Sequence, residues 1–184
     1  EKKEFRNPRA PFTTSTLQQE ASRKLGFSAS RTMRAAQKLY EGLNIGSEVT
    51  GLITYMRTDS VQLSKDSITD LRKMITNEYG DSYCPEKLKV YKSKVANAQE
   101  AHEAIRPTDV KRIPKTVKAY LDDDCYKLYD LIWKRTVSSQ MASAIINKTI
   151  IDVESINKTD IQNFVTLRAN GSVIKFDGFR KIYN

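Results

Sequence analysis

Ile145-Ile146-Asn147-Lys148-Thr149-Ile150-Ile151-Asp152-Val153-Glu154 is where the chain changes its period. From about Ile145 the pattern is strand-like, and Thr149–Glu154 has strand composition. Before it, from about Thr14 to Met141, apolar residues recur at helical spacing; after it, as far as Tyr183, strand composition persists. The pattern predicts an α+β chain, a helical body followed by an antiparallel β element. Asn163–Ala169 and Ser172–Phe179 also read as strands, and Asn170-Gly171 between them is a type I′ hairpin signal. A hairpin and one strand seldom stand alone. Partner strands are therefore expected in residues 1–13, although Pro8 and Pro11 limit pairing there, or outside this chain.

Working back toward the N-terminus, Asp122-Asp123-Asp124 opens a helix through Leu128, Leu131, Ile132 and Met141. Three consecutive carboxylates point in different directions on a helix, so they read as complements to its dipole and not as a chelate. Ser64 caps a helix whose apolar stripe is Ile68, Leu71 and Ile75, ending at Gly80, and residues 81–99 read as loop. Ser15-Thr16-Leu17-Gln18 has capping-box form, Leu17, Ala21 and Leu25 follow at i, i+4, i+8, and Gly26 stops the helix. Met33, Ala36, Gln37 and Tyr40 repeat the pattern up to Gly42, with Arg31, Arg34 and Lys38 on another face. Two short helices around a tight turn, the second basic outside, fit a helix-turn-helix. An ordinary αα-hairpin with a solvated basic face fits the same residues.

The 31 Lys and Arg against 22 Asp and Glu give a net charge of +9 in 184 residues. Residues 1–64 and 65–120 each carry +4 and residues 121–184 only +1. A polyanion suits such a surface, and so does plain solvation. No apolar run approaches the roughly 20 residues of a membrane span, so no membrane partner is expected. The polar start, Glu1-Lys2-Lys3-Glu4, has no signal-peptide character and no initiator Met, which suggests an excised or processed piece. Cys84 and Cys125 with a single His cannot make a disulfide framework or a zinc site, and reduced cytoplasmic thiols are expected.

Two stretches carry chemistry. In Gly51-Leu52-Ile53-Thr54-Tyr55-Met56-Arg57-Thr58-Asp59-Ser60, an extended backbone would send Tyr55 and Arg57 to the same side. A phenol is a weak nucleophile at neutral pH, and a neighbouring guanidinium both favours the phenolate and grips phosphate oxygens. A half-buried strand with a packed Tyr and a solvated Arg would look the same. In Gln99-Glu100-Ala101-His102-Glu103-Ala104-Ile105-Arg106-Pro107-Thr108-Asp109, a helix would put His102 and Arg106 on one face, able to hold a phosphodiester. A surface histidine in a capped turn is the competing reading. No P-loop, dinucleotide fingerprint or zincin motif is present, and Asn147-Lys148-Thr149 and Asn157-Lys158-Thr159 match a glycosylation pattern without a secretory context.

These two stretches, together with Pro11-Phe12-Thr13-Thr14-Ser15-Thr16-Leu17-Gln18-Gln19-Glu20-Ala21, resemble the type IA DNA topoisomerases, the bacterial ones most closely, in order and spacing. Arg168-Ala169-Asn170-Gly171 and Phe176-Asp177-Gly178-Phe179 resemble the strands that follow the catalytic domain in that family. The resemblance implies a helical catalytic domain of helix-turn-helix or winged-helix character, residues 15–141. Residues 1–14 would be a return segment of a β arch and residues 142–184 part of that arch, which closes a toroid. It implies that Tyr55 forms a 5′-phosphotyrosine with one DNA strand, that Arg57 contacts the scissile phosphate, and that His102 is the active-site histidine. Arg106 would clamp the backbone or pair with Glu100. Thr58, Asp59 and Glu100 would be supporting residues, and Arg31, Arg34 and Lys38 would meet DNA from the second helix.

Family members begin with a Toprim domain, which supplies the Mg²⁺ ligands and an acid. No such pattern precedes Tyr55, so no metal ligand is expected in this chain, and the missing domains of the same polypeptide become partners. The expected substrate is the single-stranded part of negatively supercoiled DNA in the bacterial cytoplasm, with the isolated piece inactive. A non-enzymatic helix-turn-helix binder would explain the basic helix but give Tyr55 and Arg57 no role. A tyrosine recombinase would place its nucleophile near the C-terminus, after a His-x-x-Arg. A purely structural module would show no salt-dependent binding to single strands.

Overall fold

The computed structural model describes residues 2–46, 48–92, 102–154 and 166–184. The fold is α+β. A three-stranded antiparallel sheet is built from β1 (Lys2–Arg6), β4 (Ala144–Glu154) and β5 (Thr166–Phe176), in the order β1-β4-β5. The N-terminal arm does supply a strand: Lys2 pairs with Lys148 and Arg6 with Ala144. A small hairpin joins β2 (Leu43–Ile45) to β3 (Glu48–Thr50).

The hairpin expected at Asn170-Gly171 is not there. β5 runs straight through, with Asn170 opposite Ile150 and Gly171 opposite Thr149. A type I′ turn needs positive φ at both central residues, and neither residue has it. β4 and β5 are each 11 residues long, and from Ile146 to Glu154 their ladder is unbroken, so its many pairings outweigh a local turn preference. The second expected strand stops at Phe176, and Gly178–Lys181 form a 3₁₀ turn instead. Of the first, residues 163–165 lie outside the described residues.

The body holds α1 (Thr14–Leu25), α2 (Ala29–Glu41), α3 (Lys65–Tyr79), the single turn α4 (Pro114–Val117) and α5 (Asp123–Ser139). The capping box of α1 is Thr13 with Thr16, two residues earlier than the sequence suggests. The cause is tertiary: the Thr14 N–H donates to Thr58 O at 2.9 Å, which fixes where the first turn starts. Gly26, at φ 68°, ends α1 in the left-handed conformation that costs glycine least. α2 buries Thr32, Ala35, Ala36 and Leu39, one position round from the expected stripe, and this leaves Tyr40 on the surface. Ser64 caps α3 as expected, with Leu71, Met74 and Ile75 buried.

α5 is the central post. Its N-cap, Asp122, accepts the Cys125 N–H at 2.8 Å. Leu128, Tyr129 and Ile132 are fully covered, and the Trp133 indole N–H donates to Val110 O at 2.9 Å. Arg135 is buried; its Nε donates to Ala10 O at 2.7 Å and its guanidinium lies 4.8 Å from the Phe12 ring centre. α5 thereby holds the arm that leads from the sheet into α1.

The Cys125 N–H, helped by Lys38, holds the Asp122 carboxyl below the usual carboxylate range, against a smaller opposing effect of burial. A folded-state pKa below the unfolded one stabilises above about pH 4, and that contribution disappears as pH falls through the folded value. Asp122→Ala should therefore cost about 1 kcal/mol at pH 7, or roughly 2–4 °C in melting temperature. The gap between variant and parent should narrow as the pH is lowered below the usual carboxylate range. Equal melting temperatures at pH 7 would show that the cap contributes nothing.

Candidate active site

Three stretches far apart in the chain meet through their backbones. Phe12 bridges to Ile105, whose N–H donates to Phe12 O at 2.8 Å. Ile53 bridges to Pro107; the Thr54 N–H donates to Arg106 O at 2.9 Å and the Thr108 N–H to Leu52 O at 3.0 Å. Thr54 Oγ1 donates to Ala104 O at 2.7 Å and accepts the Arg106 N–H at 3.0 Å. The Thr14 hydroxyl donates to Met56 O at 2.8 Å and accepts the Thr58 N–H at 2.9 Å. Phe12, Leu52, Ile53, Met56, Ala104 and Ile105 are buried beneath this mesh.

The segment 51–60 is not a strand; only Ile53 makes a bridge. Its side chains nevertheless alternate, with Tyr55, Arg57 and Asp59 exposed and Met56, Thr58 and Ser60 buried. The period-2 expectation thus holds without a ladder, because the hydrogen bonds run to two different segments. Residues 102–108 are extended and not helical. Paired with Phe12 on one residue and Ile53 on another, they cannot coil, so the helical basis for uniting His102 and Arg106 falls.

His102 reaches the site by another route. Its ring lies edge-on to Tyr55, centroids 6.2 Å apart, and Tyr40 meets the Tyr55 ring at 5.3 Å. Tyr55 is 41% exposed. Arg57 is exposed and makes no side-chain ion pair or hydrogen bond among the described residues. Arg106 turns to Glu103, with Nη2 2.6 Å from Oε2, while Nη1 donates to Pro107 O at 2.9 Å. Glu103 Oε1 accepts the Ser64 N–H at 2.9 Å, so one carboxylate ties the start of α3 to the histidine segment. Thr58 is buried and its hydroxyl accepts the Ser60 N–H. Glu100 lies outside the described residues.

The basic face of α2 is mostly neutralised. Arg31 grips Asp124 with two nitrogens, Nε at 2.8 Å and Nη2 at 2.6 Å, and Lys38 meets Asp122 at 3.0 Å. Arg34 is exposed without an ion pair among the described residues. The acidic triplet thus caps α5 and anchors α2, and a recognition helix would have to give up both pairs before meeting DNA.

Among the described residues no group of three or more His, Cys, Asp or Glu side chains is placed to hold a metal ion. Among the described residues the donors at the site do not fit Mg²⁺: the ring contacts of Tyr55 are Tyr40 and His102, and Glu103 is engaged by Arg106 and the Ser64 N–H. Among the described residues no helix is long and apolar enough to cross a membrane. Three side chains build the site although the sequence gives them no role: Thr54, Glu103 and Tyr40. Nothing in the sequence marks Tyr40 for the site, because the helical pattern takes it into the apolar stripe of α2.

Residues 1–184 match the DNA topoisomerase family. DNA topoisomerase 1 of Rickettsia felis is 56% identical over 182 residues, covering 99% of this chain and 23% of that protein. The Xylella fastidiosa DNA topoisomerase 1 is 50% identical over 183 residues, covering 99% of this chain and 22% of its own. The full-length topoisomerase I of Thermotoga maritima superposes with a TM-score of 0.80 at 39% identity, covering 100% of this chain and 28% of that one. The chain therefore spans about a quarter of the length of these relatives.

Gly51 is the tightest point of the site: a Cβ there would sit 2.6 Å from the Tyr40 carbonyl oxygen. Because the obstacle is backbone, Gly51→Ala must displace either the end of α2 or the Tyr55 segment. The expected result is a loss of about 1–3 kcal/mol in denaturant unfolding, with altered NMR shifts of the Tyr55 ring. Unchanged stability and unchanged shifts would contradict the close approach.

Proposed function

The chain belongs to the DNA topoisomerase family, in its type IA branch, and from that membership we propose that it is the part of such an enzyme that carries the nucleophile, Tyr55. The observation that carries this reading is the exposed Tyr55 ring with His102 beside it, on segments that converge through backbone hydrogen bonds.

The Tyr55 oxygen attacks a phosphodiester of one strand. The O–P bond forms as the bond to the 3′ oxygen breaks; the phenol loses its proton and the 3′ oxygen gains one. The 5′-phosphotyrosine keeps the energy of the broken bond, so the 3′-hydroxyl reverses the step without ATP after another strand has passed. Arg57, exposed and unpaired among the described residues, is available to the developing charge as a planar fork. His102 contacts the phosphate or handles the phenol proton. Arg106 acts from behind through Glu103, and Thr58, Asp59 and Glu100 are supporting residues. Arg34, Arg31 and Lys38 are peripheral DNA contacts, the last two only if they leave their carboxylates. The Mg²⁺ ligands and the acid that protonates the 3′ oxygen come from a Toprim domain elsewhere in the polypeptide. The substrate is the single-stranded segment of negatively supercoiled DNA, in the bacterial cytosol.

A helix-turn-helix binder is less favoured, because two of the three α2 cations are held by Asp122 and Asp124. By itself the chain should bind single strands weakly and leave supercoiled plasmid unrelaxed in Mg²⁺; relaxation by the chain alone would overturn the division of labour. Mixed with a separately made Toprim-bearing piece, Mg²⁺ and labelled single-stranded oligonucleotide, it should take up label at Tyr55 through a 5′ phosphate. Tyr55→Phe should abolish the uptake. Label on another residue, or a 3′-phosphotyrosine, would refute the assignment.

A further inference from the structure

We propose that Tyr40 is a positioning residue for Tyr55, holding the phenol ring in the orientation from which it attacks; the inference deepens the reading of Tyr55 as nucleophile and rests on it. The backbone of the Tyr55 segment is firmly tied, through Leu52, Thr54 and Met56. Its side chain is not. Among the described residues the Tyr55 hydroxyl makes no hydrogen bond, and 41% of the residue faces solvent. Two side-chain torsions are therefore free unless neighbouring rings restrain them. The rings in reach are His102 at 6.2 Å and Tyr40 at 5.3 Å, the latter at an interplanar angle of 63°. Edge-to-face contact at that separation is the favoured geometry for an aromatic pair.

Tyr40 is well placed for the task because its own position is fixed twice. It sits in the last turn of α2, next to the fully buried Leu39. The Leu52 N–H donates to Leu39 O at 2.7 Å, and Gly51 lies against the Tyr40 carbonyl so closely that a Cβ would be 2.6 Å away. One helix end thus fixes both the start of the nucleophile segment and the ring that leans on the nucleophile. His102 is the second ring against Tyr55, with centroids 6.2 Å apart. Tyr40 is itself 40% exposed, so its ring does not serve to fill the core. Placement errors of about 1 Å at a reacting atom can cost on the order of 100-fold in rate.

The test has two readouts. The first is the χ1 distribution of Tyr55, from side-chain NMR couplings in this chain as parent, Tyr40→Phe and Tyr40→Ala. One dominant rotamer is expected in the parent and in Tyr40→Phe, and averaging in Tyr40→Ala. The second is the single-turnover rate of covalent uptake of a labelled oligonucleotide in the mixture with the Toprim-bearing piece. Tyr40→Ala should slow it about 10- to 100-fold with oligonucleotide affinity unchanged within about twofold, and Tyr40→Phe should restore it. An unaveraged Tyr55 in Tyr40→Ala overturns the proposal, as does an effect on affinity alone or a Tyr40→Phe as slow as Tyr40→Ala. If the parent forms no adduct, the nucleophile assignment fails, and the rotamer measurement still decides whether Tyr40 orders the ring.

Discussion

One threonine holds the site together. Thr54 donates its N–H to Arg106 O, donates its hydroxyl to Ala104 O and accepts the Arg106 N–H on that hydroxyl. Three hydrogen bonds from a single residue join the Tyr55 segment to the His102 segment, 50 residues apart along the chain. The joint sits on buried Leu52, Ile53 and Ile105, where an unpaired backbone group would be costly. The candidate site is arranged around it: Tyr55 follows Thr54 directly, and His102 lies two residues before Ala104. The third segment closes the arrangement, since Thr14 at the start of α1 binds the backbone of Met56 and Thr58. Tyr55, on an irregular segment, is thus given a backbone nearly as tied as a strand's while its side chain stays exposed.

Much of this was legible in residue types. Helix stops at Gly26 and Gly80, the caps at Ser64 and Asp122, and the switch to β structure after Met141 are local events, decided by residues within one turn of each other. That Tyr55 and Arg57 share a side opposite Met56 and Thr58 followed from period 2; that this side is the exposed one did not. The failures share a cause. The start of α1, the straight course of β5 through Asn170-Gly171 and the extended run at 102–108 are each set by a distant partner: Thr58, β4 and Phe12 with Ile53. Propensity within a short window cannot see such partners.

The charge pattern carries a similar lesson. Arg31 and Lys38 look like a DNA-binding face when α2 is drawn as an isolated helix. In the fold they close onto Asp124 and Asp122, which also cap α5. Such exposed pairs contribute little stability, yet they decide which cations remain available to a phosphate. Arg57 and Arg34 are left unpaired among the described residues, and only Arg57 lies on the Tyr55 segment. Beside Tyr55 the unpaired positive charge among the described residues of that segment is therefore one guanidinium, whatever the net +9 of the chain.

Native-state amide hydrogen exchange tests the joint most directly. The amides of Thr54, Ile105, Arg106 and Thr108 should exchange slowly and as a group, and Thr54→Val should release them together while β4 and β5 keep their protection. Loop-like rates for these amides in an otherwise protected chain would contradict the claim that backbone pairing assembles the site around Tyr55.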